Sequence, residues 1–314
     1  MMRLLAFAFA LLGLTASAWA QTRYVVPYTP GAANDTLARI LAQRMGAAAG
    51  QTIVVENRPG AGGHLGAELV ARAEPDGRTL LITTNGLIAI SPHLYRKLPY
   101  DPQKDLLPVV RFANVPYALA ASPALDVKTV GELLTLARKK PESVYYASSG
   151  NGSVPHLCGE LINLNAGVKM VHVPYKGGAQ AMSDVVAGSV QLYCGSIPSL
   201  LGYVQSGKLR LLGVTSPKRS PLLADIPTFQ EQGLAGVEVD SWTGLHAPAN
   251  TPKPVVAKLA ADVTAIMATE EVRQLFLAQG AEPESLGPDA FAAAIRDESA
   301  RWAPVVKASG ATLD

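Results

Sequence analysis

Arg23-Tyr24-Val25-Val26-Pro27-Tyr28-Thr29-Pro30-Gly31-Ala32-Ala33-Asn34-Asp35 runs from a β-rich segment through a small-residue turn straight into a helical pattern. From Asp35 onward Leu37, Ile40, Leu41 and Met45 recur at helical spacing, with Asn34 or Asp35 placed to cap and Gly50 to stop the helix. Thr52 to Glu56 reads as the next strand. The loop Asn57 to Gly63 leads into a helix over about 65–73, and Thr79 to Thr83 is a third apolar strand. Strands and helices in strict alternation predict a parallel sheet covered by helices. The rhythm returns downstream. Strands at 115–121 and 144–147 flank a helix at 129–140, and a helix over about 155–165 follows the loop Ser148 to Ser153. A strand at 171–173, a helix at 179–187 and strands at 190–194 and 211–215 continue it, and after 242–247 the chain turns helical over 254–269, 270–279 and 288–309. The expectation is two α/β lobes and a helical tail.

Length agrees with two lobes, because 314 residues exceed a typical single domain of about 150. With 48% apolar residues there is material for two cores. Arg3, the apolar run Leu4 to Leu14 and Ala18-Trp19-Ala20 have the order of a secretory signal peptide, with cleavage expected near Ala20/Gln21 and export to the periplasm. That run is too short to span a bilayer, which needs roughly 20 apolar residues. Setting Arg3 aside leaves 26 basic and 25 acidic residues, a balance that gives no electrostatic reason for binding nucleic acid or an anionic membrane.

One device recurs, a strand that ends in a small-residue loop from which a helix starts at once. It occurs at Tyr28 to Asp35, at Ser148-Ser149-Gly150-Asn151-Gly152-Ser153, at Tyr175-Lys176-Gly177-Gly178 and at Gly195-Ser196. Helix N-termini leave backbone N–H groups unpaired and carry partial positive charge, so such loops bind carboxylate or phosphate without a charged side chain. In an open α/β sheet they also sit at the carboxyl ends of strands, where ligands bind. Ordinary turn and capping chemistry selects the same residue types, so each loop alone leaves both readings open.

Other chemistry is thin. Gly202 to Leu209 nearly matches a phosphate loop, but Leu209 stands where a magnesium-binding hydroxyl is needed, and the order of helix and strand is reversed. His64, His93, His156, His172 and His246 form no H-E-x-x-H pair, and no G-x-S-x-G elbow exists. His156 could donate to an anion in the loop before it or support that loop, and Lys176 could meet a carboxylate or water. Asp35 could take a ligand donor or cap its helix. Cys158 and Cys194 could form a disulfide or be two small buried residues, and they make no zinc site. No metal, no cofactor and no enzymatic activity are expected.

Several stretches are more particular. Pro27 to Asp35, Glu56-Asn57-Arg58-Pro59-Gly60-Ala61-Gly62-Gly63, Pro75-Asp76-Gly77, Leu98-Pro99-Tyr100-Asp101-Pro102 and His172-Val173-Pro174-Tyr175-Lys176-Gly177 resemble the Bug family, the periplasmic substrate-binding proteins of tripartite tricarboxylate transporters. The resemblance covers essentially the whole chain after the leader. It implies a type II periplasmic binding protein fold, with lobe 1 at 21–121 plus 241–314 and lobe 2 at 122–240, hinged near Ala121-Ser122-Pro123 and Asp240-Ser241. It also implies a ligand carboxylate held by backbone and water. The loops it points to are Tyr28, Thr29, Gly31, Ala32, Ala33, Asn34 and Asp35 in one lobe, and Ser148 to Ser153 with His156, Tyr175 and Lys176 in the other. Thr84, Asn85, Ser196 and Trp242 are expected to shape selectivity. This chain has Ala32 where the family usually has a second glycine, and a Cys158–Cys194 bond would be a local specialisation. The expected output is delivery of a small carboxylate to a membrane permease by a monomeric receptor. A ligand-loaded subunit for a sensor kinase keeps the same binding residues, and a hydrolase or isomerase in the same cleft would need an acid/base pair that the sequence does not display.

Overall fold

Val25, Val26, Leu81 and Ile82 have no exposed surface, as strands covered on both faces require. A computed structural model describes residues 21–313, so the expected signal peptide at 1–20 lies outside the described residues. The strands are β1 Arg23–Val26, β2 Val54–Asn57, β3 Thr79–Thr84, β4 Leu106–Ala121, β5 Tyr145–Ser148, β6 Val171–Pro174, β7 Leu192–Ser196, β8 Arg210–Val214, β9 Asp240–Pro248 and β10 Glu282–Leu286. The helices are α1 Ala33–Ala49, α2 His64–Ala71, α3 Ser91–Leu94, α4 Val130–Lys139, α5 Val154–Ala166, α6 Gly178–Ala187, α7 Ile197–Gln205, α8 Lys253–Met267, α9 Glu270–Ala278 and α10 Pro288–Ser309.

The sheet runs β2-β1-β3-β9-β4-β7-β5-β6, with β8 and β10 also paired to β4. In the first lobe β1 pairs β2 and β3 in parallel. In the second, β5 pairs β6 and β7 in parallel. Strand β4 joins the two. Leu106 to Pro116 pairs with β9, whereas Tyr117 to Ala121 pairs with β7 and Ala118 to Ala121 with β8. Each lobe has its own core. Leu37, Leu41, Leu80, Phe112, Leu245 and Phe276 are buried together in the first, and Leu133, Tyr146, Leu157, Ile162 and Leu192 in the second.

Helix α10 belongs to both. Phe291 and Ile295, near its start, pack with Val25, Leu81 and Trp242 of the first lobe. Trp302, Val305 and Val306, near its end, pack into the core of the second. Cys158 on α5 and Cys194 on β7 are bonded, which settles the alternative that the sequence left open.

Three elements were not read from sequence, α3, β10 and the first half of β4. Glu282-Pro283-Glu284-Ser285-Leu286 lacks alternation and carries a proline, and it is held as an edge strand with an irregular register against β4. Pro108 sits at a register shift of β4 and interrupts the apolar run there. Among the described residues no helix is long and apolar enough to cross a membrane.

Candidate functional site

The sheet register places the loops. Thr84, the last residue of β3, lies opposite Thr243 on β9, and Thr243 lies opposite Ala113 on β4. Ser196, the last residue of β7, lies opposite Tyr117 on β4. Ala113 and Tyr117 are four residues apart, about 13 Å at roughly 3.3 Å per residue. The carboxyl ends of the parallel strands in both lobes therefore open toward the same short stretch of β4.

On the first-lobe side, β1 ends at Val26 and α1 begins at Ala33 with no side-chain cap. The first helical bond runs from Thr36 N–H to Ala32 C=O, so the N–H groups of Ala33, Asn34 and Asp35 precede the ladder. Asp35 is buried. One carboxylate oxygen accepts from Gly31 N–H at 2.9 Å and Arg39 Nε at 3.0 Å, and the other from Asn57 Nδ2 at 2.8 Å. Burial works against the charge, but these hydrogen bonds hold its carboxyl below the usual range. Asp35 thus braces the loop. Asn34 Nδ2 donates to Thr243 Oγ1 at 3.0 Å, and the Tyr28 hydroxyl meets Thr84 Oγ1 at 2.7 Å, which pins the loop against β9 and the end of β3.

On the other side the loop Ser148 to Ser153 folds onto itself. Gly150 C=O accepts from Ser148 Oγ at 3.1 Å and from Ser153 Oγ at 2.6 Å. Gly152 N–H donates to His156 Nδ1 at 3.0 Å, and the His156 ring stacks on His172 with centroids 3.8 Å apart. His172 Nε2 lies 2.6 Å from Ser148 Oγ. Burial depresses both imidazoles to about 4, and the neighbouring His156 adds to the effect on His172. Neutral His156 can accept from Gly152 as the loop requires. The first helical bond of α5 is Leu157 N–H to Ser153 C=O, and that of α6 is Ala181 N–H to Gly177 C=O. Neither helix has a side-chain cap, nor does α7 after Ser196. Helices α8, α9 and α10 share that lack, so it is position at the strand ends that sets these termini apart.

The expected residues divide by what their side chains already do. Tyr28, Asn34, Asp35, Thr84, Ser148, Ser153 and His156 are engaged in holding the loops. Asn85 is buried and bonded to Asp240 and Glu298, and the Tyr175 hydroxyl donates to Asp184 at 2.6 Å. Thr29, Ser149, Asn151, Lys176 and Ser196 have side chains with no hydrogen-bond partner among the described residues. Gly31, Ala32, Ala33 and Gly150 line the loops with backbone. A Cβ at Gly152 would stand 3.1 Å from Leu94 and 3.4 Å from Leu313, so that glycine meets the α3 segment and the chain end. Trp242 is buried and donates from Nε1 to Glu298 at 2.5 Å, a packing role rather than an open wall.

Sequence reasoning did not single out Thr243, Tyr193 or the partnership of His172 with Ser148. A Cβ on Gly178 would come 3.0 Å from the Tyr193 hydroxyl, which places that ring beside the start of α6. His172 opens the His172-Val173-Pro174-Tyr175-Lys176-Gly177 stretch, and that was the available signal.

The chain matches the family described as "Tripartite tricarboxylate transporter family receptor" (TctC) over residues 37–311. Protein BugT of Bordetella pertussis is 34% identical over 290 residues, covering 92% of this chain and 89% of BugT. Among solved structures, Rpa4515 of Rhodopseudomonas palustris with adipate is 37% identical with a TM-score of 0.77, covering 93% of this chain and 98% of its own. MatC from the same organism, with bound malate, is 34% identical with a TM-score of 0.73, covering 91% and 98%. The two-lobed α/β architecture is that of periplasmic solute-binding proteins, and the chain belongs to the tripartite tricarboxylate transporter family of receptors, with the Bug proteins among its relatives.

Proposed function

We propose that this receptor acts in the periplasm, closes its two lobes on a small carboxylate and presents it to the membrane permease of a tripartite tricarboxylate transporter. The observation that supports the reading is that the strand ends of both lobes lie at Ala113 to Tyr117 of β4 and are followed by helices that start without a side-chain cap. A carboxylate between them would take N–H donors from Ala33 to Asp35 on one side and from the starts of α5 and α6 on the other. Relatives that hold adipate and malate support the same chemistry. Thr29, Ser149, Asn151, Lys176 and Ser196, whose side chains are unspent, are assigned to the ligand's remaining polar groups. The hinge, expected near Ala121-Ser122-Pro123 and Asp240-Ser241, is assigned instead to Pro116/Tyr117 on β4 and to Val239/Asp240 at the start of β9, where strand pairing changes lobe.

Catalysis is not part of the proposal. Ser148 and His172 make a hydroxyl–imidazole contact of the kind a nucleophile uses, but Ser148 has no exposed surface and its hydroxyl folds back onto Gly150.

Thermal unfolding of the chain beginning at Gln21, with malate, adipate and other short mono- and dicarboxylates, tests the reading. A ligand that binds only the folded state stabilises it by about 2.7 kcal/mol at 100 times Kd. A melting temperature that no carboxylate raises would sink the proposal, as would turnover of the bound molecule.

A further inference from the structure

The second lobe holds a tyrosine whose hydroxyl has no task inside the protein. Tyr193 lies on β7 and is 7% exposed, packed with Ala147, Ala181, Met182 and Val185 on the α6 side of the sheet. Its hydroxyl has no hydrogen-bond partner among the described residues, whereas Tyr146 donates to Glu160 and Tyr175 to Asp184. Its oxygen also keeps some surface, unlike the sealed hydroxyl of Tyr24. A buried tyrosine ordinarily finds a partner for its O–H, and a phenylalanine would fill this space without needing one.

The neighbours set where that hydroxyl points. Side chains alternate across a strand, so Gly195 shares a face with Tyr193. A Cβ on Gly195 would come 2.7 Å from Tyr193 Cε1 and 3.0 Å from Cδ1. The ring therefore lies along β7 toward its carboxyl end, over the space that Gly195 leaves empty. Ala147, opposite Tyr193 on β5, adds little bulk between it and α6. The hydroxyl stops beside Gly178, where a Cβ would stand 3.0 Å from it. Gly178 is the first residue of α6, and that helix starts without a side-chain cap, its first ladder bond running from Ala181 N–H. A neutral O–H thus stands beside N–H groups that precede the ladder. Burial raises the phenol further above its ordinary range, so it remains a donor at neutral pH.

We propose that Tyr193 is a ligand contact in the cleft, donating its O–H to an oxygen of a carboxylate seated at the start of α6. The inference rests on the carboxylate reading above and adds a residue to it. A carboxylate there takes backbone N–H groups from α6 and the phenol proton from β7, so two elements grip one group. Gly195 is a positioning residue, because the placement of the ring depends on its missing side chain.

Calorimetric titration of the chain from Gln21 onward with malate, adipate, succinate and butyrate tests this, on wild type and on Tyr193→Phe. For each acid that binds wild type, Kd should rise at least about tenfold in Tyr193→Phe. The urea midpoint of the variant should not move, because the hydroxyl has no partner in the protein to lose. Gly195→Ala keeps the hydroxyl but displaces the ring. It should weaken binding by a similar factor and add nothing on top of Tyr193→Phe. An unchanged Kd in Tyr193→Phe overturns the proposal and leaves the hydroxyl to water, while the carboxylate reading stands. A urea midpoint that drops together with the affinity also overturns it, since the hydroxyl would then serve the fold. A wild type that binds none of the acids overturns the carboxylate reading itself, and this inference with it.

Discussion

Asn85 donates through Nδ2 to the backbone carbonyl of Asp240 at 2.7 Å, which ties the residue after β3 to the first residue of β9. The same nitrogen lies 3.1 Å from Glu298 Oε1 on α10. One amide therefore joins three elements at the crossing between lobes.

Removing that amide leaves two buried acceptors short of a donor. Asn85→Leu should cost about 1–3 kcal/mol of stability. Urea unfolding reads the loss, and a variant as stable as wild type would show that water replaces the amide there.

Acidification should destabilise the protein, and the signs can be worked out group by group. His156 and His172 have folded pKa values near 4, and His246 near 3, against an ordinary 6.5. An imidazole with a lowered folded pKa contributes stability that is present above about pH 6.5 and is lost as pH falls toward the folded value. Asp240 runs the other way. Burial, aided by Glu298 and Glu284 and opposed by Arg111, raises it to about 6, so its contribution is present below about pH 3.8 and is lost as pH rises through 6. Three imidazoles, each worth on the order of 2–3 kcal/mol, outweigh Asp240 and Glu284, whose carboxyl burial likewise raises. Stability should fall from pH 6.5 to 4, and Asp240→Asn should make the fall steeper. Urea midpoints across that range test both statements, and a shallower slope in Asp240→Asn contradicts the assignment.

The Cys158–Cys194 bond closes a loop of 36 residues in sequence separation. Chain-entropy reasoning gives about 3–4 kcal/mol for such a loop. Replacing both cysteines with alanine should lower the unfolding free energy by that order, measured by urea under non-reducing conditions. A loss below about 1 kcal/mol would mean that the unfolded chain is already constrained there.

Gly150 holds φ at +130°, in the region that favours glycine, and a Cβ there would lie 3.4 Å from Tyr175 C=O. Strain of about 1–3 kcal/mol should reshape the loop in Gly150→Ala. The expected outcome is malate or adipate affinity reduced tenfold or more by calorimetry, with the folded state retained. Unchanged affinity would remove this loop from the proposed site.

Much of this is legible in the sequence. Apolar strands alternating with helices gave both lobes, because strands such as Leu80 to Ile82 are buried on both faces and need no polar alternation. The loops at Tyr28 and Ser148 announced themselves through glycine, serine and asparagine at strand ends. What stayed hidden depends on partners distant in sequence. Nothing local says that Asn34 will meet Thr243, or that Ser148 will meet His172. Asp35 and Asn85 have the residue types of ligand contacts and are spent on bracing. Strand β10 was missed because an edge strand on β4 needs neither alternation nor β-branched residues.

The shared helix α10 has a consequence for how the chain is made. Its first half completes one core and its second half the other, and β9, which closes the first sheet, also comes late. A growing chain therefore cannot finish either lobe until its last helix has been made, and the two lobes mature together and late rather than one after the other. A chain truncated before Trp302 would leave the second core without Trp302, Val305 and Val306 and should end as a substrate for proteases.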